Sequence, residues 1–314
     1  MKKSTLHITN GNVLTDYLNE LEIKGQFLTW QEMLCEGPTK IDIETDEFIA
    51  LRRNYLSQEY NIEINEYEFH DEIDKLNHLE AYSEIVLWFE YDLFCHINMI
   101  AVIHHILSKK NKLPVYLVCS GRVKGESDFK GLGELKPDQL LRHYRNKILL
   151  NNDDLDMASN LWQLYCGKDH NLIKPFIVKT SSFQYLNSCL KAHLKRFPDS
   201  KNGLGRLEHH ILETINLNEI KSENHLLGYV LNYQGYYGYG DLQIRRLIKK
   251  LNIFLSYTDT GITLNRKGHE ALLGQHNFAK EVNNNIRLGG ISRADFHFNR
   301  KENKLIKTIV NASA

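Results

Sequence analysis

The spacing of apolar residues predicts a strand, a turn and a helix at the start of the chain. Residues 6–9 alternate between apolar and polar side chains and end at Asn10-Gly11, after which apolar residues recur at helical spacing. Residues 26–30 are typical of a second strand. The order strand, helix, strand indicates a βαβ unit.

The strongest strand signal lies at residues 84–90, a nearly continuous apolar run typical of a strand buried on both faces. Asp92 predicts the start of a helix, and residues 113–119 predict another buried strand. Strands that alternate with helices indicate a Rossmann-like, mostly parallel sheet over roughly the first 120 residues. Such sheets bind ligands beyond the carboxyl ends of their strands.

From Pro137 onward the pattern is mainly helical. Two helical patterns and then two short strand patterns follow one another between residues 204 and 264, which is the order of elements in a winged helix. We therefore predict an α/β domain at 1–135 and a helical domain at 136–314, which contains a winged-helix-like module at about 200–275.

Composition excludes several classes of protein. The chain has 314 residues, of which 42% are hydrophobic, so it can form a substantial core and is not a disordered protein. No run approaches the roughly 18 apolar residues of a membrane span, and we predict a cytoplasmic protein without membrane contact. The five cysteines are odd in number and form no CxxC pair, which predicts reduced thiols rather than disulfides or a zinc site.

Seven stretches of sequence, taken in order, resemble an uncharacterised bacterial family, the domain of unknown function numbered eighteen thirty-five. They are residues 6–11, Trp30 with 36–38, 87–94, 129–135, 197–204, 263–264 with Gly268, and 288–290. The resemblance covers most of the chain and implies the same domain arrangement, but no activity is established for the family. Members often carry Asp after the Asn-Gly pair, where this chain has Asn12, so a catalytic role of that acid would be impaired here.

Glu90, Asp92 and His96 are the candidate catalytic residues, because they follow the central strand directly. Two carboxylates and an imidazole can bind a divalent metal or act as acid and base. The alternative is structural: Asp92 caps the helix, Glu90 pairs with Arg52 or Arg53, and His96 lies at the surface. The sequence does not identify a metal.

The Asn10-Gly11 turn is a candidate ligand-binding site, because the start of the following helix favours an anion. Neither a dinucleotide fingerprint nor a P-loop is present. The alternative is a plain tight turn. The candidate rim of this site consists of Trp30, Glu36, Arg52 and Arg53. Each rim residue has a structural alternative, either in the core or in a surface ion pair.

Charge is distributed unevenly along the chain. Asp and Glu outnumber Lys and Arg by seven in residues 1–150, and Lys and Arg are in excess by seven in residues 151–314. The candidate nucleic-acid-binding face lies on the helix at 242–251 and consists of Arg245, Arg246, Lys249 and Lys250. The alternatives are a solvated helix face and a contact with a partner protein.

Three functional hypotheses follow. The first is a protein whose α/β domain binds a small anionic or nucleotide-like ligand and whose winged-helix-like domain contacts nucleic acid or a partner protein. The second is a metal-assisted enzyme that acts on a phosphorylated or nucleotide substrate. The third is a structural scaffold.

Overall fold

The computed structural model describes residues 3–126 and 128–308, and that part of the chain folds into strands and helices of mixed order. The strands are β1 (Ser4–Asn10), β2 (Gln26–Trp30), β3 (Gly37–Pro38), β4 (Tyr82–Phe89), β5 (Val115–Cys119), β6 (Gly121–Arg122), β7 (Phe129–Lys130), β8 (Ile148–Leu149), β9 (Leu255–Thr258), β10 (Gly261–Leu264), β11 (Arg287–Gly289), β12 (Ile291–Ser292), β13 (Phe296–Asn299) and β14 (Lys304–Lys307). The helices are α1 (Asn12–Glu20), α2 (Asp46–Tyr60), α3 (Glu66–Asp74), α4 (Leu93–Ser108), α5 (Pro137–Arg145), α6 (Asn152–Cys166), α7 (Leu186–Leu194), α8 (Arg206–Leu217), α9 (Glu223–Tyr233), α10 (Asp241–Lys250), α11 (Arg266–Leu273) and α12 (Ala279–Val282).

The central sheet has the strand order β2-β1-β4-β5-β8. The first four of these strands are parallel to their neighbours, and only β8 runs antiparallel. The predicted mixed α/β architecture with a mostly parallel sheet is therefore confirmed. The sheet continues beyond residue 135, since β8 pairs with β5 through Leu117 and Ile148.

The direction in which successive strands are added to the sheet reverses between β1 and β4. From β1 the chain passes to β2 on one side, and it later returns to place β4 on the other side of β1. Ligands of open α/β sheets bind at such a switch point, outside the carboxyl ends of the two strands. The register aligns Thr9 with Trp88, so β1 and β4 end side by side.

Alternate residues of β4 enter two separate cores, as the two-residue period of a strand requires. Val86 and Trp88 pack with Leu14 and Leu18 of α1 on one face of the sheet. Ile85, Leu87 and Phe89 pack on the other face, in the core that contains α4. The sheet is thus covered by helices on both faces.

α4 is the central helix of the larger core. Twelve of its 16 residues are buried, and α6 and α7 pack against it. A helix that is apolar on nearly all sides is stable only when other elements surround it. In residues 3–126 and 128–308, no helix combines the length and the hydrophobicity that crossing a membrane requires.

The second half of the chain continues this core. α8, α9 and α10 are followed by the antiparallel pair β9 and β10, and Ile220 forms an antiparallel bridge to Ile262 of β10. β11 pairs in parallel with β3, which joins the two halves of the chain by backbone hydrogen bonds. The predicted domain boundary at residue 135 stays a prediction.

Candidate functional site at the switch point

The end of β1 contacts the first turns of α4. Asn10 Nδ2 donates a hydrogen bond to Cys95 Sγ at 3.2 Å, and Asn98 Nδ2 donates to Asn10 Oδ1 at 2.8 Å. These bonds connect residues 85 and 88 positions apart in the chain. The Asn-Gly turn and the region after β4, two separate candidates in the sequence, therefore meet in space.

Glu90 follows β4 and is held by the backbone of the loop after β7. Its Oε1 accepts hydrogen bonds from the amide of Leu132 at 2.5 Å and from that of Gly133 at 3.5 Å. A Cβ at Gly131 would lie 2.7 Å from Glu90 Oε1, so a larger residue there would displace the Glu90 carboxylate from this loop. Burial raises the pKa of Glu90, while the two amides oppose the shift. The alternative that Glu90 pairs with Arg52 or Arg53 is wrong.

Asp92 is buried and caps α4. Its Oδ1 accepts a hydrogen bond from the amide of Cys95 at 2.8 Å, which satisfies one of the unpaired donors at the start of the helix. Gly238 covers the carboxyl group so closely that a Cβ there would lie 2.1 Å from Asp92 Cγ. Burial, followed by the charge of Glu90, raises the pKa of Asp92 to about 7. Asp92 therefore caps α4, which is the structural alternative given in the sequence analysis.

Cys95 completes a three-residue cluster with Glu90 and Asp92. One ligand atom from each of the three residues lies within 4.8 Å of the other two, close enough for all three to contact one cation. Burial, and then the charge of Asp92, raises the pKa of Cys95, so the free protein holds a thiol and a metal would have to displace its proton. Sequence reasoning missed Cys95. Its position three residues after a capping Asp was the available signal, since both side chains then lie at the first turn of the helix.

His96 is buried and bonds to the backbone. Its Nδ1 donates a hydrogen bond to the carbonyl oxygen of Asp92 at 2.8 Å, and its Nε2 has no hydrogen-bond partner among the residues that the structure describes. Burial lowers the pKa of His96 to about 4, so the ring is neutral at pH 7. The alternative that places His96 at the surface is wrong. The predicted catalytic role stays a prediction, and the ring forms no hydrogen bond or ion pair with the carboxylate of Asp92.

The start of α1 lies at the same edge of the sheet. Gly11 adopts φ 102° at the N-cap position, and no side chain caps the helix. Gln31 Nε2, beyond the end of β2, donates to Asn12 Oδ1 at 3.0 Å. The first turn of α1 therefore retains the partial positive charge of an uncapped helix end.

The predicted rim residues have structural partners of their own. Trp30 pairs in register with Asn10 but lies in the core with only 3% of its surface exposed. The fully buried Arg52 forms an ion pair with Glu32 at 2.8 Å, and Arg53 pairs with Glu66 at the surface. Arg52 and Arg53 therefore carry counter-charges of their own and make no hydrogen bond or ion pair with Asn10 or Glu90.

Glu36, the remaining rim residue, binds α10 instead of the switch point. Its Oε1 forms an ion pair with Arg246 Nη2 at 3.1 Å, and both side chains are buried. Arg246 also donates to the hydroxyl of Tyr60 at 3.0 Å and to Asn284 Oδ1 at 2.8 Å. The neighbouring cavity measures about 20 Å³, which is room for about one water molecule rather than for a ligand.

The prediction that Arg246 belongs to an exposed basic face of α10 is wrong, because Arg246 is buried. Arg245 and Lys249 are exposed, and Lys250 donates to the carbonyl oxygen of Asn283. Arg246 lies on the buried side of α10 together with Gln243, three residues earlier, and both side chains contact the α/β part of the chain.

Comparison with known proteins does not identify the function of this site, so the function is inferred from the geometry. No protein-family model matches the chain, and no curated protein matches it at a significant level.

Proposed function

We propose that the α/β part of this protein binds a phosphorylated, nucleotide-like ligand together with a divalent cation. The observation that carries the proposal is the convergence of Asn10, at the end of β1, with the cluster of Glu90, Asp92 and Cys95 after β4. This convergence lies at the switch point of the sheet, where α/β proteins of this topology bind their ligands.

Electrostatics supports a cation as part of the ligand. Burial raises the pKa values of both Glu90 and Asp92, and the charge of Glu90 raises that of Asp92 further. A bound cation compensates that charge. It also lets a phosphate approach the uncapped start of α1, which the two carboxylates would otherwise repel.

The donor atoms limit the choice of metal. Carboxylate oxygens suit Mg²⁺ and Mn²⁺, whereas a cysteine sulfur favours Zn²⁺. The three candidate ligands combine both kinds of atom. A Cys95→Ser variant distinguishes them, since it should weaken binding of Zn²⁺ far more than binding of Mn²⁺.

Thermal unfolding tests the proposal. With inorganic pyrophosphate and MnCl₂ together, we expect a higher Tm than with either alone, because ligands that bind the native state stabilise it. The shift should be lost in Glu90→Gln. Glu80→Gln is the matched control, since Glu80 is exposed and lies before the opposite end of β4. Equal shifts in both variants, or no shift with the unmodified chain, would contradict the proposal.

A metal-assisted enzyme is the second candidate, and the pKa of Asp92 favours it. A carboxyl group with a pKa of about 7 can both accept and donate a proton near neutral pH. In this role Asp92 would transfer the proton while Glu90 and Cys95 hold the cation. Release of phosphate from pyrophosphate or a nucleoside triphosphate, lost in Asp92→Asn, separates this candidate from binding alone.

For the second half of the chain, we propose a winged-helix module over residues 206–264 that binds protein. The order of α8, α9, α10, β9 and β10 and the bridge between Ile220 and Ile262 support the winged-helix assignment. Arg246 and Gln243 of α10 already contact the α/β part of the same chain, which leaves little of that helix for a nucleic acid. Duplex DNA binding that falls steeply with salt and disappears in Arg245→Glu would favour nucleic acid instead.

The resemblance to the domain of unknown function family also remains a proposal. Its motifs at 87–94 and 129–135 meet in space, since the amide of Leu132 binds the carboxylate of Glu90. A function shared with the family would require these two distant stretches to form one site.

A further inference from the structure

A second pocket lies beside β2, and its lining does not include Glu90, Asp92 or Cys95. It is bounded by the end of β2, the last turn of α2, the segment 62–65 and α3, and it encloses about 190 Å³. A cavity of about 150 Å³ in another protein holds a benzene ring. This pocket therefore has room for a single ring or a short branched chain.

The walls of the pocket are apolar because of the periodicity of the sequence. Ile62 and Ile64 are two residues apart in an extended segment and so face the same side. Phe69 and Ile73 are four residues apart on α3 and form one apolar strip of that helix. Leu56 of α2 completes the wall.

The charge of the lining is entirely negative. Glu32, Glu63, Glu68 and Glu72 line the pocket, and none of the lining residues is Lys, Arg or His. Glu32 is neutralised by Arg52, and Glu72 is neutralised by Lys75. Glu63 and Glu68 are exposed to solvent and form no ion pair within the part of the chain that the structure describes, so two negative charges without a counter-charge lie beside the apolar wall.

We infer that this pocket binds a small organic cation, namely a protonated amine that carries one ring or a short alkyl chain. The apolar body contacts Ile62, Ile64 and Phe69, and the ammonium group is attracted by Glu63 and Glu68. The same charges repel phosphates and carboxylates, so this site selects against the class of ligand proposed for the switch point.

Isothermal titration calorimetry with the full chain and three probes of similar shape tests the inference. Phenethylammonium should bind saturably at one site, whereas neutral 2-phenylethanol should bind at least about fivefold more weakly and benzoate should not bind. Equal affinity for phenethylammonium and 2-phenylethanol would overturn the role of charge. Absence of saturable binding by phenethylammonium would overturn the site itself.

Variants locate the binding. Glu63→Gln combined with Glu68→Gln should weaken phenethylammonium binding at least about fivefold, and Ile64→Trp should abolish it by filling the pocket. Asp71→Asn is the matched control, because Asp71 is exposed on α3 but does not line this pocket. Glu90→Gln should leave binding unchanged, so failure here and failure of the switch-point proposal are separate results. Full affinity in the double variant or in a folded Ile64→Trp protein would overturn the inference.

Discussion

Asp92→Asn is expected to stabilise the protein at pH 8. Asp92 is only 6% exposed, and the pKa of its carboxyl group is raised from 3.8 to about 7. A shift of this size corresponds to at most about 4 kcal/mol of unfavourable free energy when the buried group is ionised. Asn keeps the shape of the side chain and can still accept the hydrogen bond from the amide of Cys95, so the cap is retained.

The stabilisation by Asp92→Asn must increase as the pH rises. The folded protein binds the proton of Asp92 more tightly than the unfolded chain does, because the pKa is raised on folding. The stability that the protonated group contributes is therefore complete below about pH 4 and is lost as the pH rises to about 7. The difference between Asp92→Asn and the unmodified protein should grow by up to about 1.4 kcal/mol per pH unit over this interval and stay constant above it.

Urea unfolding at a series of pH values, in buffer without divalent cations, measures this difference. Asp71→Asn serves as the control, since Asp71 is an exposed carboxylate on α3. A constant offset between Asp92→Asn and the unmodified protein would report only an altered cap. A difference that does not change between pH 4 and pH 7 would refute the claim that Asp92 is a buried group with a raised pKa.

Three further predictions concern the surroundings of this site and the contact between the halves. The pKa of His96 is lowered to about 4, so the folded state resists protonation of this ring and the protein loses stability on acidification from about pH 6.5 to pH 4. His96→Asn should reduce this loss by up to about 1.4 kcal/mol per pH unit, and urea midpoints at the two pH values measure the reduction. Arg246→Ala should cost about 3–5 kcal/mol in urea unfolding, because it leaves a buried carboxylate without its counter-charge; a cost below about 1 kcal/mol would contradict the burial of this pair. Gly238→Ala should lower the Tm more than Gly235→Ala, because both glycines have φ near 70° but only Gly238 has the carboxyl group of Asp92 against it; equal losses would mean that backbone strain alone is responsible.

The elements around the candidate site were predictable because their signals are local. The apolar run of β4 and the capping role of Asp92 depend on residues within a few positions of each other. The sequence also predicted a mostly parallel sheet, whose strands end at one shared edge. Asn10, Glu90 and Asp92 could therefore be assigned to one edge of the sheet from sequence.

The partners of those residues could not be predicted, because they come from distant parts of the chain. Leu132 binds Glu90 across 42 positions, and Gly238 covers Asp92 from a loop in the second half of the chain. No local pattern marks Gly238 as a neighbour of Asp92. The raised pKa of Asp92, on which its chemistry depends, results from this burial.

Sequence by itself determined the succession of strands and helices and the alternation that places Val86 and Leu87 on opposite faces of the sheet, since both depend on the spacing of apolar residues over a few positions. Only the tertiary structure decided that Arg246 is buried rather than exposed. Its counter-charge, Glu36, is 210 positions away, and a basic residue is buried stably only where folding brings such a partner into contact.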